Sequence, residues 1–320
     1  MTDIAGLRLG IGLDVAALKA PQTGWQGLWN AVVERIDGAA DFVTLEDGFA
    51  RSAGDGPDAV LLANWLGART RDIGILAGAP VNFLEPFHVS TAIATLDYVT
   101  EGRAGLLVQP LRGERAAEAG RVIGRLGGFP AGDPAALGHD ALDAVEVIRR
   151  LWDSWEDDAV IRDPVSQRFL DGAKLHSIDF KGAGFSVLGP SITPRPPQGQ
   201  PVVATTFAAG DDPALAAAAD LVFLRSGAEE LRDRIRGRGP LSFADVPVDI
   251  AIRGAASLAT QVAEWSAAGF DGVRFLPRDL PELVETLLPA LRQAGLGARG
   301  GTLRERLGLP PAVNRYATAA

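Results

Sequence analysis

The 320-residue chain is 47% hydrophobic and 22% charged, a balance that supports a large buried core and excludes a disordered or fibrous polymer. A net charge of −9 makes it a poor partner for polyanions, so neither nucleic acid nor an anionic membrane surface is an expected ligand. The absence of cysteine excludes disulfides, thiolate nucleophiles and iron–sulfur ligation.

Short apolar runs alternate with helical patterns from the start. "LRLGIGLD" (7–14) reads as a strand, and its Asp3 and Arg8 surroundings do not read as a signal peptide. A helix follows over 27–37, then a strand over 41–47. Pro57 opens a helix over 57–70, the third strand covers 72–78, and a helix over 85–102 stops at Gly102. "RAGLLVQ" (103–109) is the fourth strand. The rhythm then breaks. Residues 124–138 are rich in Gly and Pro and read as a loop, 139–157 as a strong helix, "EDDAVIRD" as a solvated loop, and "KLHSIDFKGAGFSVLG" as a hairpin. Alternation resumes with strands over 201–207, 221–225, 247–254 and 270–277, each followed by a helical pattern.

Eight strands, each trailed by a helix and apolar on both faces, predict an α/β fold: a (β/α)8 TIM barrel with a rim insertion after the fourth strand, over about 111–200. The chain is expected to form one domain over 1–320, with an open doubly wound sheet as the alternative. In a barrel, chemistry collects at the C-terminal strand ends. That position alone selects Asp14, Glu46, Asp47, residues 78–82, Gln109, residues 205–207, Arg225, Ser226, Arg253 and Arg278. Glu46 and Asp47 are adjacent, so at most one of them faces the mouth.

No motif supplies a nucleophile. The chain has neither a Gly-x-Ser-x-Gly elbow nor a Walker sequence, and "GIGLDV" lacks the third glycine of a dinucleotide fingerprint. Its three histidines are widely spaced, with no metal-ligand pattern. Trp152 and Trp155 share a helix face and read as packing against the barrel rim, and His88 reads as a helix-end hydrogen-bonding residue.

Four blocks carry a resemblance: "NFLEPFHVSTAIATLDYVTEGRAG", "VEVIRRLWDSWEDDAV", "LHSIDFKGAGFSVLGPSITPRPPQGQPVV", and "GFDGVRFLP" with the later "TLRERLGL". In this order they resemble the bacterial luciferase-like flavin-dependent monooxygenases, and within them the branch acting on nitrilotriacetate, EDTA and dibenzothiophene sulfone. The resemblance implies a two-component enzyme, and the absence of cysteine fits a cytoplasmic one. A flavin reductase partner would supply reduced FMN, oxygen would be the co-substrate, and a small organic molecule would be oxidised. It implies a homodimer, or a heterodimer with a related barrel. The cofactor-facing positions depart from the family. Gly78 and Pro80 replace hydroxyl residues, Leu106 and Leu107 replace Trp-Asn, and Pro110 and Leu111 replace Thr-Ser. The phosphate-gripping segment reads "TTFAAGDD", placing Asp211 and Asp212 where a phosphate would sit. The cofactor residues implied are therefore Asp47, Gly78, Asn82 and Gln109 at the flavin ring, with Thr205 and Thr206 at the phosphate; no catalytic side chain is assigned. The alternatives are a non-catalytic barrel serving as a subunit or binding protein, and a deazaflavin-dependent oxidoreductase. Pro80 further suggests a bulge or a cis Ala79–Pro80 bond at the end of the third strand.

Overall fold

Eight parallel strands close into a barrel in the computed structural model, which describes residues 7–15, 24–47, 56–82, 84–111, 134–235, 237, 239–252, 257–297 and 300–317. The barrel strands are β1 (Arg8–Asp14), β2 (Phe42–Glu46), β3 (Gly74–Ala79), β4 (Ala104–Val108), β5 (Val202–Phe207), β6 (Leu221–Leu224), β7 (Leu241–Pro247) and β8 (Gly272–Leu276). Each pairs in parallel with its neighbours in sequence, and β8 closes the ring onto β1. Closure rules out the open sheet. The helices between strands are α1 (Gly24–Ile36), α2 (Ala59–Gly67), α3 (Pro86–Val99), α4 (Pro134–Asp153), α5 (Pro213–Ala218), α6 (Glu229–Ile235), α7 (Val248–Ala251) and α8 (Leu258–Ala267). A π-helical stretch, Glu282–Leu287, leads into α9 (Leu288–Gln293), and α10 is Leu303–Leu307. Among the described residues, no helix is long and apolar enough to cross a membrane.

Alternation along the strands divides the core in two. Phe42, Leu76, Leu107, Val202, Ala204, Phe223 and Phe243 pack together inside the barrel. Their neighbours Val43, Ile75, Leu106 and Val203 join the larger layer between strands and helices. The rings of Phe42, Phe223 and Phe243 meet with centroids 5.5 to 5.9 Å apart, although β2 is adjacent to neither β6 nor β7, so they fill the lumen from opposite walls. Glycines make room for them. A Cβ on Gly10 would lie 2.4 Å from the Phe42 ring, and one on Gly272 would lie 2.1 Å from Phe243.

The N-terminal end of the barrel is closed by α10. Leu303 and Leu307 join the interior cluster, Arg306 donates to the Asp41 carbonyl at 3.2 Å, and Leu303 N–H donates to the Gly102 carbonyl. The residues that carry the family resemblance meet here as scaffold. The Asp97 carboxylate accepts from Gln198 N–H at 2.9 Å, Gln198 Nε2 at 2.5 Å and Ala104 N–H at 3.2 Å. Burial pushes its pKa up to about 6, against the pull of the Gln198 hydrogen bonds. Arg103 ties the turn after α2 by donating to the carbonyls of Thr70 and Ile73. Past α10 the chain runs up α4, where Asn314 donates to the carbonyls of Asp153 and Trp155 and the Tyr316 ring stacks on His176 at 5.3 Å.

Five local expectations change. The seventh strand is Leu241–Pro247, not 247–254. In "LSFADVP" alternate residues Phe243 and Asp245 both face the lumen, whereas beyond Pro247 the buried residues Val248 and Ala251 fall three apart, a helical spacing. "EDDAVIRD" holds a strand, Val160–Asp163, paired with Arg168–Leu170; Asp163 builds the turn by accepting from Val165 N–H and Ser166 Oγ. Residues 134–138, expected as loop, are the first turn of α4, which Pro134 opens. The third strand ends at Ala79 in unbroken register with Val108, and the Ala79–Pro80 bond is not cis, so Pro80 follows the ladder and removes no donor from it. Both tryptophans are buried as expected, the Trp152 indole donating to the Ser90 carbonyl at 3.0 Å and Trp155 to that of Ser191 at 2.8 Å, but they do not share a helix face, because α4 stops at Asp153 instead of 157 and Trp155 lies beyond it, bridged to Leu175. The hairpin expected in "KLHSIDFKGAGFSVLG" is present as Phe180–Lys181 paired with Ser186–Val187.

Candidate active site at the barrel mouth

Arg274 lies between Gly272 and Leu276 on the lumenal face of β8 and sits above the aromatic layer, its guanidinium 3.9 Å from the Phe223 ring centre. Nε and Nη2 bind the two oxygens of Asp245 on β7 at 2.7 and 2.6 Å. Nη1 donates to Glu46 Oε1 and Thr44 Oγ1 on β2, both at 2.9 Å. Side-chain exposure is 1% for Arg274, 2% for Asp245 and 27% for Glu46, so the pair at the centre is dry and Glu46 faces the opening. Burial works hardest against the Arg274 charge. The Asp245 and Glu46 carboxylates outweigh it and hold the guanidinium above its ordinary pKa. Its hydrogen bonds are committed to this triad and to Thr44; Glu46 Oε2 takes no hydrogen bond among the described residues.

Above the triad opens a cavity of about 400 Å³, walled by Leu276, Pro277, Pro247 and Ile250 and rimmed by Asp14, Arg225 and Ser226. Its size is that of a small-molecule pocket. Apolar walls over a fixed ionic floor can hold a small organic molecule, exclude water from its body and orient its polar end.

None of the six residues expected at a cofactor lines this cavity, and Asn82 and Thr205 are buried away from the lumen. Three stand together. Gln109 Oε1 accepts from Asp47 N–H at 2.8 Å, and the carboxamide lies so close over Gly78 that a Cβ there would be 2.2 Å from Oε1. This hydrogen bond fixes the carboxamide with Oε1 inward, leaving Nε2 as its second face. The Asp47 carboxylate turns away and accepts from Ala59 N–H at 2.7 Å, at the start of α2. Of the adjacent pair, Glu46 is the one facing the lumen. Asn82 is buried, donating to the Leu137 carbonyl and Asp140 Oδ2 and accepting from Leu111 N–H, which fastens the β3 turn to α4. Thr206 shares the lumenal parity of Val202 and Ala204. Thr205 shares that of Val203 and donates to the Val108 carbonyl at 3.3 Å.

The segment after β5 is already occupied by its own carboxylates. Asp211 Oδ2 accepts from Ala208 N–H at 2.7 Å, and Asp212 caps α5 by accepting from Ala214 N–H at 2.9 Å. Two of this segment's amides, those of Ala208 and Ala214, are thus spent on its own carboxylates, which also bring negative charge there, so among the described residues the phosphate end of FMN finds a poor fit, while the Gln109 region offers hydrogen-bonding surface to a flavin ring. Of the remaining position-based candidates, Arg225 and Ser226 line the cavity and Arg253 lies outside the described residues. Arg278 turns to Glu282, 2.9 Å away, and His88 and His139 are exposed.

Asp140 gives this region a pH signature. Burial raises its pKa to about 6, the Asn82 hydrogen bond opposing. The folded value lies above that of the unfolded chain, so folding takes up a proton between about pH 4 and 6. This contribution to stability is full below about pH 4 and lost as pH rises through 6. Asp140→Asn keeps an oxygen for Asn82 but cannot titrate. The stability of the wild type relative to this variant, from urea midpoints, is expected to fall from pH 4 to pH 7; a flat difference would refute the assignment.

Sequence reasoning misses Arg274 and Asp245. The signal for Arg274 is present: a charge inside "GVRFL", at the parity of Gly272 and Leu276, must be buried and must have partners. Asp245 falls outside the expected seventh strand and is passed over with it.

Comparison with known proteins agrees with the fold. The pattern of the luciferase-like monooxygenase family matches residues 30–272. A pristinamycin IIA synthase component from Streptomyces pristinaespiralis is 32% identical over 87% of this chain and 86% of its own. N-acetyl-S-(2-succino)cysteine monooxygenase from Bacillus subtilis (strain 168) is 35% identical over 56% of this chain, a match that spans only 42% of that protein. Among solved structures, riboflavin lyase with modified FMN and its substrate riboflavin superposes with a TM-score of 0.73 at 20% identity, covering 95% of this chain and 96% of that one, a likeness of fold.

Proposed function

We propose a function from one premise: the chain belongs to the luciferase-like monooxygenase family. On that premise it is a cytoplasmic flavin-dependent monooxygenase of the two-component type, receiving reduced FMN from a reductase and oxidising a small organic substrate. The observation that carries the reading is the family pattern running through the barrel from residue 30 to 272. When bound, reduced flavin supplies the electrons that activate oxygen. The chain's own part is binding, orientation and exclusion of water. Gln109, held by the Asp47 amide over Gly78, presents Nε2 to an acceptor on the flavin ring, Thr206 faces the same mouth, and the cavity over Arg274 takes the substrate. Asp47, Asn82 and Thr205 hold the surrounding backbone.

The test is calorimetric titration with FMN and riboflavin, oxidised and anaerobically reduced. The internally capped amides at Ala208 and Ala214 argue for little gain from the phosphate, so FMN is expected to bind less than about a hundredfold tighter than riboflavin, a gap under roughly 2.7 kcal/mol. A larger gap would show a working phosphate site. Binding of neither ligand in either redox state would favour the second reading, a non-catalytic barrel, which the same two aspartates support.

The protein is further proposed to be a dimer through α1 and α2. Leu61 is 71% exposed there, and Trp25 and Trp65 pack ring to ring at 5.7 Å on the same surface. Light scattering at micromolar concentration is expected to return twice the chain mass of 33.5 kDa, and a monomer would overturn it.

A further inference from the structure

The mouth cavity is electrically polarised across the barrel. On its floor one cation, Arg274, faces two carboxylates, Asp245 and Glu46. Asp245 matches the guanidinium in a two-pronged pair, so the excess negative charge resides on Glu46, whose Oε2 is unspent among the described residues and whose side chain is the exposed member. Asp14, on the neighbouring strand and in register with Glu46, puts a second carboxylate on the same wall. Arg225 lies on the other side, at the end of β6, four strands from β2 in a ring of eight and therefore diametrically across. Its backbone N–H is held by the Phe207 carbonyl, but its exposed guanidinium makes no hydrogen bond or ion pair among the described residues. Leu276, Pro247 and Ile250 lie between the two poles.

A ligand that fits has a cationic nitrogen at one end, a short hydrocarbon body and an anionic group at the other. Arg274 is a poor seat for the anion, because four of its five N–H donors are committed to Asp245, Glu46 and Thr44 and two carboxylates already face its single charge. Glu46 receives the nitrogen without giving up Arg274, since each uses a different oxygen. We propose that this cavity binds a small amino-carboxylate zwitterion, its ammonium at Glu46 and its carboxylate at Arg225. Opposite charges on facing walls of one cavity select this class over amines or acids alone, each of which would leave one pole unpaired. The inference rests on the reading of this cavity as the substrate pocket.

The test needs no flavin. Calorimetry on the flavin-free protein compares the ω-amino acids from glycine to 6-aminohexanoate with the alkylamine and the alkanoate of matching length. At least one amino acid of the series is expected to bind tenfold or more tighter than both of its singly charged counterparts. Glu46→Gln, which keeps an acceptor for Arg274, is expected to reduce that ligand's affinity at least tenfold. Arg225→Met, at an exposed site, is expected to do the same and to abolish the advantage over the amine. The proposal is overturned if no amino acid exceeds its matched amine and acid, if the acid binds best, if nothing in the series binds, or if both substitutions leave affinity unchanged. A failure here with intact flavin binding removes this ligand class alone. Zwitterion binding without any flavin binding would remove the monooxygenase reading and leave the pocket.

Discussion

Arg274→Met is expected to lower unfolding free energy by about 3–5 kcal/mol, the usual cost of breaking a buried ion pair from one side. Asp245 would be left with its carboxylate 2% exposed and without a counter-charge, and the Glu46 carboxylate would lose its only hydrogen-bond partner among the described residues. Methionine fills much of the volume over Phe223, so the loss would report electrostatics more than a cavity. A control separates the two. Adding Asp245→Asn and Glu46→Gln to Arg274→Met removes the stranded charges and should recover most of the stability, because a buried triad contributes little against its neutral replacement. Urea denaturation of the single and triple variants gives both numbers. A single variant within about 1 kcal/mol of the wild type, the scale of exposed pairs, would mean the mouth is wetter than its geometry shows.

The second large effect lies one layer below. Phe243→Ala is expected to cost about 3–5 kcal/mol, since its ring meets both Phe42 and Phe223 and no neighbouring side chain can fill the lumen from the Gly272 side. Gly272→Ala, the opposite error, places a Cβ where the Phe243 ring now lies and should cost about 1–3 kcal/mol. The double variant should cost clearly less than the two added together, because the new methyl enters the space the ring has vacated. Strict additivity in urea melts would show that residues 243 and 272 do not share that space.

Much of the barrel can be read from the sequence, because buried parallel strands stand out as short apolar runs between helical periods. The seventh strand escapes that logic. "LSFADVP" carries Ser242 and Asp245 inside a core strand, and both polarities are answered only by distant residues: Ser242 by Asp271, and Asp245 by Arg274. The same reason hides the site. Glu46 and Arg274 are 228 positions apart and meet only because β8 closes onto β1 beside β2. Sequence order can say that one of Glu46 and Asp47 faces the mouth, but the choice depends on how β2 is set against β1, which local pattern does not encode. Asn82 and Gln109 do stand at the end of the barrel where their strand positions put them. Their hydrogen bonds to Asp140 and to the Asp47 amide do not follow from residue type.

The helix that closes the barrel floor has a consequence for how the chain is made. Leu303 and Leu307 belong to the interior cluster begun by Phe42 and Leu76, and Arg306 reaches back 265 positions to Asp41. The first four strands therefore emerge from the ribosome long before the segments that seal them, with the outer edges of β1 and β4 open. Contacts this distant in sequence slow folding, and a half-built sheet with two bare edges is prone to association. The yield of finished barrels is thus sensitive to α10, which is synthesised after every strand that it seals. Substitutions at Leu303 or Arg306 should lower soluble yield during synthesis more than they lower the denaturation midpoint of the molecules that survive.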